Sequence, residues 1–252
     1  MQPLTKGRYR VRLAETPTDI RSAQRLRHLA FHGTDKDRAA PAGNEALDLD
    51  AFDGCCQHVL IEDCSDDQLV GCFRGLELGS GAEIGASYSA QFYDLDRLTA
   101  FCGRMIEIGR FCIHPDRSDD PDILRLAWAS LARHVENRRI EMMFGCSSFQ
   151  GTDQGQYLDT FALLKSKHLA PPEWRPRVKA QKVFRFAARL RRLPDRRKAL
   201  QAMPPLLRTY LMMGGWVSDH AVIDTEMDTL HVFTGVEISA IPAARRNLLL
   251  AV

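Results

Sequence analysis

Apolar and polar positions alternate with period two over Tyr9-Arg-Val-Arg-Leu-Ala14, which predicts a half-buried strand. Thr16-Pro-Thr-Asp19 then supplies a cap and a first-turn proline for a helix that carries Ile20, Ala23, Leu26, Ala30 and Phe31 at helical spacing. Residues 33–54 are rich in Gly, Pro, Asn and acids and read as a long loop, a length often reserved for function. Residues 58–62 and 69–78 read as strands joined at Ser65-Asp-Asp-Gln68, an antiparallel hairpin. An irregular insertion follows over 79–103, with a short helix near 94–101, and then a strand around Glu107.

Proline and an acid in the first turn, with apolar residues recurring at three and four, predict a helix over 121–135. Residues 142–147 read as a short buried strand and 155–167 as a helix. The chain then turns basic and is interrupted by Pro171, Pro172 and Pro176; residues 199–213 read as helical despite Pro204-Pro205. Strands close the pattern between Trp216 and Val236, around Ser218-Asp219 and Asp228-Thr229. This order predicts an α/β (α+β) fold with a mixed sheet. We expect one domain over residues 1–252, with a basic helical segment over about 165–213 and closing strands over about 216–236.

Two strands carry charges. Met105-Ile-Glu-Ile-Gly-Arg-Phe-Cys-Ile113 embeds Glu107 and Arg110, and Leu69-Val-Gly-Cys-Phe-Arg74 embeds Arg74. Such charges either pair in the core or floor an active site, and both readings stand at this point. Strict alternation sends Glu107 and Arg110 to opposite faces, so bringing both to one site requires a bulge, for which Gly109 is the natural place.

Composition narrows the classes. Hydrophobic residues at 45% and charged residues at 26% describe an ordinary globular chain. No apolar run approaches the ~20 residues of a bilayer span, and the start has no signal-peptide core, so the expected location is the cytoplasm. The seven cysteines are an odd set without a Cys-x-x-Cys pair, which argues against a disulfide framework and a metal site; Cys72, Cys112 and Cys146 are assigned no catalytic role. The formal net charge of +2 hides an asymmetry: residues 45–67 hold eight acids and no Lys or Arg, whereas 165–198 hold thirteen Lys/Arg against Glu173 and Asp195. That basic stretch suits an acidic partner or an anionic membrane, or is a solvated surface.

Leu26-Arg-His-Leu-Ala-Phe31, Asp48-Leu-Asp-Ala-Phe-Asp53, the strand of Arg74, Glu107-Ile-Gly-Arg-Phe-Cys-Ile-His-Pro115, Phe144-Gly-Cys-Ser-Ser-Phe149, Gly151-Thr-Asp153 and residues 210–224 together carry a resemblance. The chain resembles the ornithine-acyl-[acyl-carrier-protein] N-acyltransferases, which belong to the GCN5-related N-acetyltransferase (GNAT) superfamily. The first half also resembles acyl-homoserine-lactone synthases at Arg27, Phe31, Asp50, Asp53, Arg74, Glu107 and Arg110. The resemblance implies a GNAT-like mixed, largely antiparallel sheet flanked by helices. It implies transfer of a long-chain, 3-hydroxylated acyl group to the α-amine of ornithine, giving lyso-ornithine lipid. One departure concerns the donor: acetyl-CoA enzymes of this superfamily cradle the pyrophosphate on a Gly-rich turn, but here that turn is Asp116-Arg-Ser-Asp-Asp-Pro-Asp122. This fits an acyl-phosphopantetheine thioester on acyl carrier protein as co-substrate, with no bound cofactor.

In this reading Glu107 is the catalytic base, its pKa raised by Ile106, Ile108 and Phe111 unless Arg74 or Arg110 holds it ionised, and Arg110 joins it. Arg27 or Arg74 suits the ornithine carboxylate, and Asp48, Asp50 or Asp53 its ammonium. Phe31 is carried over as a substrate contact, and Phe144 and Phe149 are candidates for an acyl slot, against their reading as core. Arg175, Arg177, Lys179, Lys182, Arg185 and Arg189 form the expected carrier-protein landing surface, with a peripheral contact on anionic membrane near 185–192. Nucleic acid is not expected, since only Phe184 and Phe186 interleave the basic residues. His32-Gly-Thr-Asp-Lys-Asp37 matches the His-x4-Asp spacing of glycerolipid acyltransferases, a two-residue pattern that arises by chance and receives no role. An acyl-homoserine-lactone synthase and a non-catalytic basic membrane-binding module remain the alternatives.

Overall fold

The computed structural model describes residues 3–33 and 46–250. The His-x4-Asp pattern ends at Asp37, so it and the centre of the expected 33–54 loop lie outside the described residues.

The first elements are β1 (Leu4–Lys6), β2 (Tyr9–Leu13), α1 (Pro17–His32), β3 (Gln57–Asp63), β4 (Gln68–Leu78) and β5 (Tyr93–Asp94). Then come β6 (Arg104–Ile113), α2 (Pro121–Arg138), β7 (Ile140–Gln150), α3 (Leu158–Lys167), β8 (Arg177–Val178), β9 (Val183–Phe184) and α4 (Phe186–Arg189). The last are α5 (Arg196–Ala202), α6 (Pro205–Met212), β10 (Trp216–Val217), β11 (Ala221–Asp224), β12 (Thr229–Glu237) and α7 (Ala243–Leu250). The chain falls into two compact units interleaved in sequence, one comprising residues 1–76, 108–139 and 243–252 and the other 77–107 and 140–242.

In the first unit the strands run β1-β2-β3-β4-β6, the first three pairings antiparallel. The expected cap of α1 is present as a reciprocal box: the Asp19 N–H donates to the Thr16 hydroxyl and the Thr16 N–H to the Asp19 carboxylate, each at 3.1 Å. Such a cap stabilises a helix by about 1 kcal/mol. Ala23 and Leu26 of α1 bury against Leu60, Cys72 and Cys112. Helix α2 starts on Asp120, whose Oδ1 accepts the Asp122 N–H (3.0 Å) while its Oδ2 accepts the Tyr9 hydroxyl (2.6 Å). The acidic turn therefore fills the N-terminus of α2 with the protein's own carboxylate.

In the second unit the N-terminal half of β6 pairs in parallel with β7, from Arg104 with Ile140 to Glu107 with Phe144. β7 pairs antiparallel with β12, β12 with β11 and β10, and β11 with β9, while β5 and β8 form a separate ribbon. Phe149, Phe161, Phe184, Phe186, Leu207 and Val232 lie in one buried cluster.

Three expectations are corrected. Residues 165–213 are not a helical segment: after α3 they hold two short strands and three short helices, and the expected 199–213 helix is split into α5 and α6 because a residue before proline avoids the helical region. The strand expected at 142–147 runs eleven residues as β7. β1 and α7 were not expected at all.

Candidate active site

In the first unit Arg27 on α1, Arg74 on β4 and Arg110 on β6 meet Asp48, Asp50 and Asp53 of the acidic segment before β3. Arg27 is 1% exposed and donates through Nε to Asp48 (2.7 Å), through Nη1 and Nη2 to Asp53 (2.7 and 2.9 Å), and to the Asp48 carbonyl. Arg74 grips Asp50 with both terminal nitrogens at 2.6 Å, reaches Asp53 at 2.8 Å and lies over the Phe52 ring. Arg110 contacts Asp48 and Asp50 at 3.0 Å each. Three guanidinium groups thus offset three carboxylates, which is what allows the charges to be buried.

The pKa directions follow the pairing. Burial pushes Asp53 up, but the Arg27 hydrogen bond and charge outweigh it and hold Asp53 well below the ordinary carboxylate range. Asp50 behaves likewise: burial opposes, Arg74 dominates, and the net direction is down. Arg74 moves the other way, burial lowering it and Asp50 raising it to a net increase.

Next to Gly109, where a bulge is expected, Arg110 has φ of +52° in the middle of β6. A non-glycine residue in the left-handed region costs about 1 kcal/mol or more and persists only when its surroundings demand it. Here the demand is the Arg110 contact to Asp48 and Asp50.

In the second unit Glu107, 5% exposed, is met by the insertion. Its Oε1 accepts the Ser89 N–H (2.8 Å) and the Ser89 hydroxyl (2.6 Å), and its Oε2 accepts the Tyr88 N–H (2.8 Å). The Ser89 Oγ also lies 3.5 Å from the Cys146 Sγ on β7. Sequence reasoning passed over Tyr88 and Ser89 because residues 79–103 have no hydrophobic period to place them.

A second polar group stands on β5, β12 and the turn before β11. The Tyr93 hydroxyl donates to the His231 carbonyl (2.8 Å) and lies 3.0 Å from its Nδ1, while His220 Nδ1 lies 2.7 Å from the Asp219 carboxylate. Burial lowers the His231 pKa to about 4. The dipeptide Asp219-His220 was the available signal, and it reads as a turn in sequence.

The other expected site residues divide. Phe144 and Phe149 are fully buried, Phe144 stacking on Phe233 and Phe149 packing on Tyr157 and Phe161, so both belong to the core. Phe31 packs beside the Leu26 cluster. Arg175 donates to the Ala170 carbonyl, Arg177 pairs with Asp94 and Asp96, and Lys179 donates to the Ala90 carbonyl, so these three cations fasten the chain to itself. Lys182, Arg185 and Arg189 are exposed and form no ion pair among the described residues. Among those residues no group of three His, Cys, Asp or Glu side chains has the arrangement of a metal site.

Residues 26–128 match the acetyltransferase (GNAT) domain family. The chain is 35% identical over 249 residues to the L-ornithine N(alpha)-acyltransferase of Rhodobacter capsulatus, covering 95% of this chain and 93% of that protein. It is 31% identical over 248 residues to the enzyme of that name from Brucella abortus, with 93% and 86% covered. Among solved structures it is similar to the AHL synthase LasI, at 13% identity and a TM-score of 0.47 over 96% of this chain and 95% of that one. Near-complete coverage at this identity settles the family: the chain is an acyltransferase and belongs to the L-ornithine N(alpha)-acyltransferases.

Proposed function

We propose that the chain, working as one acyltransferase domain over residues 1–252, moves a long-chain 3-hydroxyacyl group from acyl carrier protein to the α-amine of ornithine, giving lyso-ornithine lipid. The observation that carries the reading is the 35% identity over 95% of the chain to a relative named for that acceptor. The charge-balanced network in the first unit supports it, since a zwitterionic amino acid with a cationic side chain needs both signs of charge to bind.

The network also sorts its members. Four hydrogen bonds occupy the buried Arg27 guanidinium, which makes it a pillar of the network rather than the group that takes the ornithine carboxylate. Arg110 and Asp50 are more open, with side chains 12% and 18% exposed, and they face each other at 3.0 Å. In this reading ornithine enters by exchange: its carboxylate takes Arg110, its ammonium takes Asp50, and Arg74, Asp48 and Asp53 hold those two in place. Glu107, oriented by the amides of Tyr88 and Ser89, serves as the base for the attacking amine.

The donor enters as a co-substrate, the acyl-phosphopantetheine thioester. An acidic turn filled by Asp120 is a poor seat for a pyrophosphate, which favours a carrier protein over acetyl-CoA. Of the six basic residues expected to meet the carrier, Lys182, Arg185 and Arg189 are the ones left to do so. No helix among the described residues is long and apolar enough to cross a membrane. Leu193, 91% exposed between Arg192 and Pro194, suits a peripheral contact with the anionic inner face of the cytoplasmic membrane.

The test follows thiol release from long-chain 3-hydroxyacyl carrier protein with single amino acids, identifying products by mass. N-acylornithine formed only with ornithine is the expected result. Release that requires S-adenosylmethionine instead would overturn the reading in favour of a lactone synthase, and no release with either would leave a binding module.

A further inference from the structure

The acylation reading assigns a base and leaves the other half of the proton balance open. When the tetrahedral intermediate collapses, the C–S bond breaks and its electron pair leaves on the phosphopantetheine sulfur, which is poorly expelled from an apolar site unless a proton meets it. A donor for that proton has to lie near the base if the amine's proton is to be reused.

Such a donor lies next to Ser89. The Cys146 Sγ is 3.5 Å from the Ser89 Oγ, and the same hydroxyl is 2.6 Å from Glu107 Oε1. The Ser89 hydroxyl proton goes to the carboxylate, so the thiol is the donor to the Ser89 oxygen, and the chain runs S–H to O–H to carboxylate. Cys146 is partly exposed on β7, two residues past Phe144, where the pairing of β7 with β6 ends. The backbone amides of Tyr88 and Ser89 fix the carboxylate end. Three groups on three separate segments are thus joined without a bulk water between them.

We propose that Cys146 is the general acid that protonates the departing carrier thiolate, and that Ser89 is the relay returning the amine's proton from Glu107 to Cys146. The balance is closed. Ornithine attacks as the neutral α-amine; its nitrogen becomes cationic as the C–N bond forms and gives one proton to Glu107, the C–S bond then breaks, and the Cys146 thiol proton passes to the leaving sulfur. The protonated Glu107 next gives its proton to the Ser89 oxygen as the Ser89 proton moves to the Cys146 thiolate, which restores all three groups. The transfer from thiol to thiolate joins chemically similar groups, so little driving force is lost. This inference rests on the acyl-transfer reading and changes the role of a cysteine that its sequence context presents as packing.

The test compares two donors of one acyl chain on the full-length protein: an alkyl thioester of phosphopantetheine, and an aromatic thioester whose acidic thiol departs without a proton. Cys146→Ala and Cys146→Ser should each lower kcat on the alkyl thioester by about a hundredfold. On the aromatic thioester both should stay within about threefold of the parent protein. Ser89→Ala should resemble Cys146→Ala if it keeps the parent melting temperature. Equal losses on both donors, or no loss on either, would overturn the proposal, as would an acyl adduct on Cys146 found by intact mass without ornithine, since that makes the thiol a nucleophile. Failure of the acyl-transfer reading looks different: the parent protein itself would release no thiol with ornithine.

Discussion

The two units bury ionised groups by opposite means. In the first, six charges cancel, and Arg27, Arg74, Arg110, Asp48, Asp50 and Asp53 form a lattice in which every member has more than one partner. In the second, the Glu107 carboxylate accepts from the Ser89 hydroxyl and from two backbone amides, those of Tyr88 and Ser89, at the start of a short 3-10 helix. A lattice of ions is rigid and suits recognition. A carboxylate held by amides and a hydroxyl keeps a path for protons, which suits chemistry.

The sharpest way to break this contrast is to remove the charge at Glu107. Glu107→Gln keeps one oxygen acceptor but cannot take a proton, and kcat should fall by about a thousandfold with little change in KM for ornithine. Arg110→Met is the counterpart in the lattice: KM for ornithine should rise at least tenfold while kcat changes less. If instead the two substitutions shifted the same kinetic constant, the division between chemistry and recognition would be wrong.

Stability should separate the regions next. Arg27→Met strands Asp48 and Asp53 without their principal partner, and removal of one side of a buried ion pair typically costs about 3–5 kcal/mol. Chemical denaturation should show a lowered midpoint of that size, whereas Glu107→Gln should cost clearly less because the Ser89 hydroxyl and one amide retain an acceptor. An Arg27→Met protein as stable as the parent would mean that the lattice relaxes on losing its most buried member.

Much of this architecture is legible in the sequence because it obeys a period or a cap. The Tyr9 strand, the α1 helix with its Thr16–Asp19 box, the β3–β4 hairpin and the α2 helix all follow local rules, and they position Arg27, Arg74 and the strand of Glu107. The parts that escape it depend on partners distant in sequence. β7 reads as shorter than it is because Ser147 and Ser148 break its apolar pattern, yet the Ser147 hydroxyl accepts from Thr234 on β12 inside the sheet. The left-handed residue falls on Arg110 rather than Gly109 because contacts to Asp48 and Asp50 override the local preference for glycine. Ser89 has no local signal, since its importance arises from a carboxylate eighteen residues away.

Acid should then dissect the two regions by window. His231 has a pKa lowered by burial to about 4, against about 6.5 for an unfolded histidine. The unfolded chain therefore binds the proton first, so the contribution of neutral His231 is complete above about pH 6.5 and declines as pH falls toward 4, by roughly 3 kcal/mol in all. Asp50 and Asp53 also have lowered values, so their contribution is present above the ordinary carboxylate pKa near 4 and is lost only as pH falls below it. Denaturation midpoints measured between pH 7 and 3 should fall in two stages, and His231→Gln should shrink the upper stage while leaving the lower one, the remainder of the upper stage belonging to His58 and His168, whose pKa values burial also lowers. A flat profile from pH 7 to 4.5 in the parent protein would contradict the assignment.

The smallest expected effect lies in the basic segment, where the same contrast between paired and unpaired charge recurs at the surface. Arg177 is committed to Asp94 and Asp96, whereas Arg185 and Arg189 are exposed without an ion pair among the described residues. Surface ion pairs contribute about 0–1 kcal/mol, so Arg177→Ala should shift stability slightly and leave the carrier alone. Arg185→Glu with Arg189→Glu should instead lower kcat/KM for acyl carrier protein several-fold at low salt, with the difference shrinking as ionic strength rises, because exposed charges steer encounter more than they bind. The readout that decides is the salt dependence. A several-fold loss that persists at high salt would mean a docked contact rather than steering, and an equal loss from Arg177→Ala would mean that the paired arginine, not the exposed ones, meets the carrier.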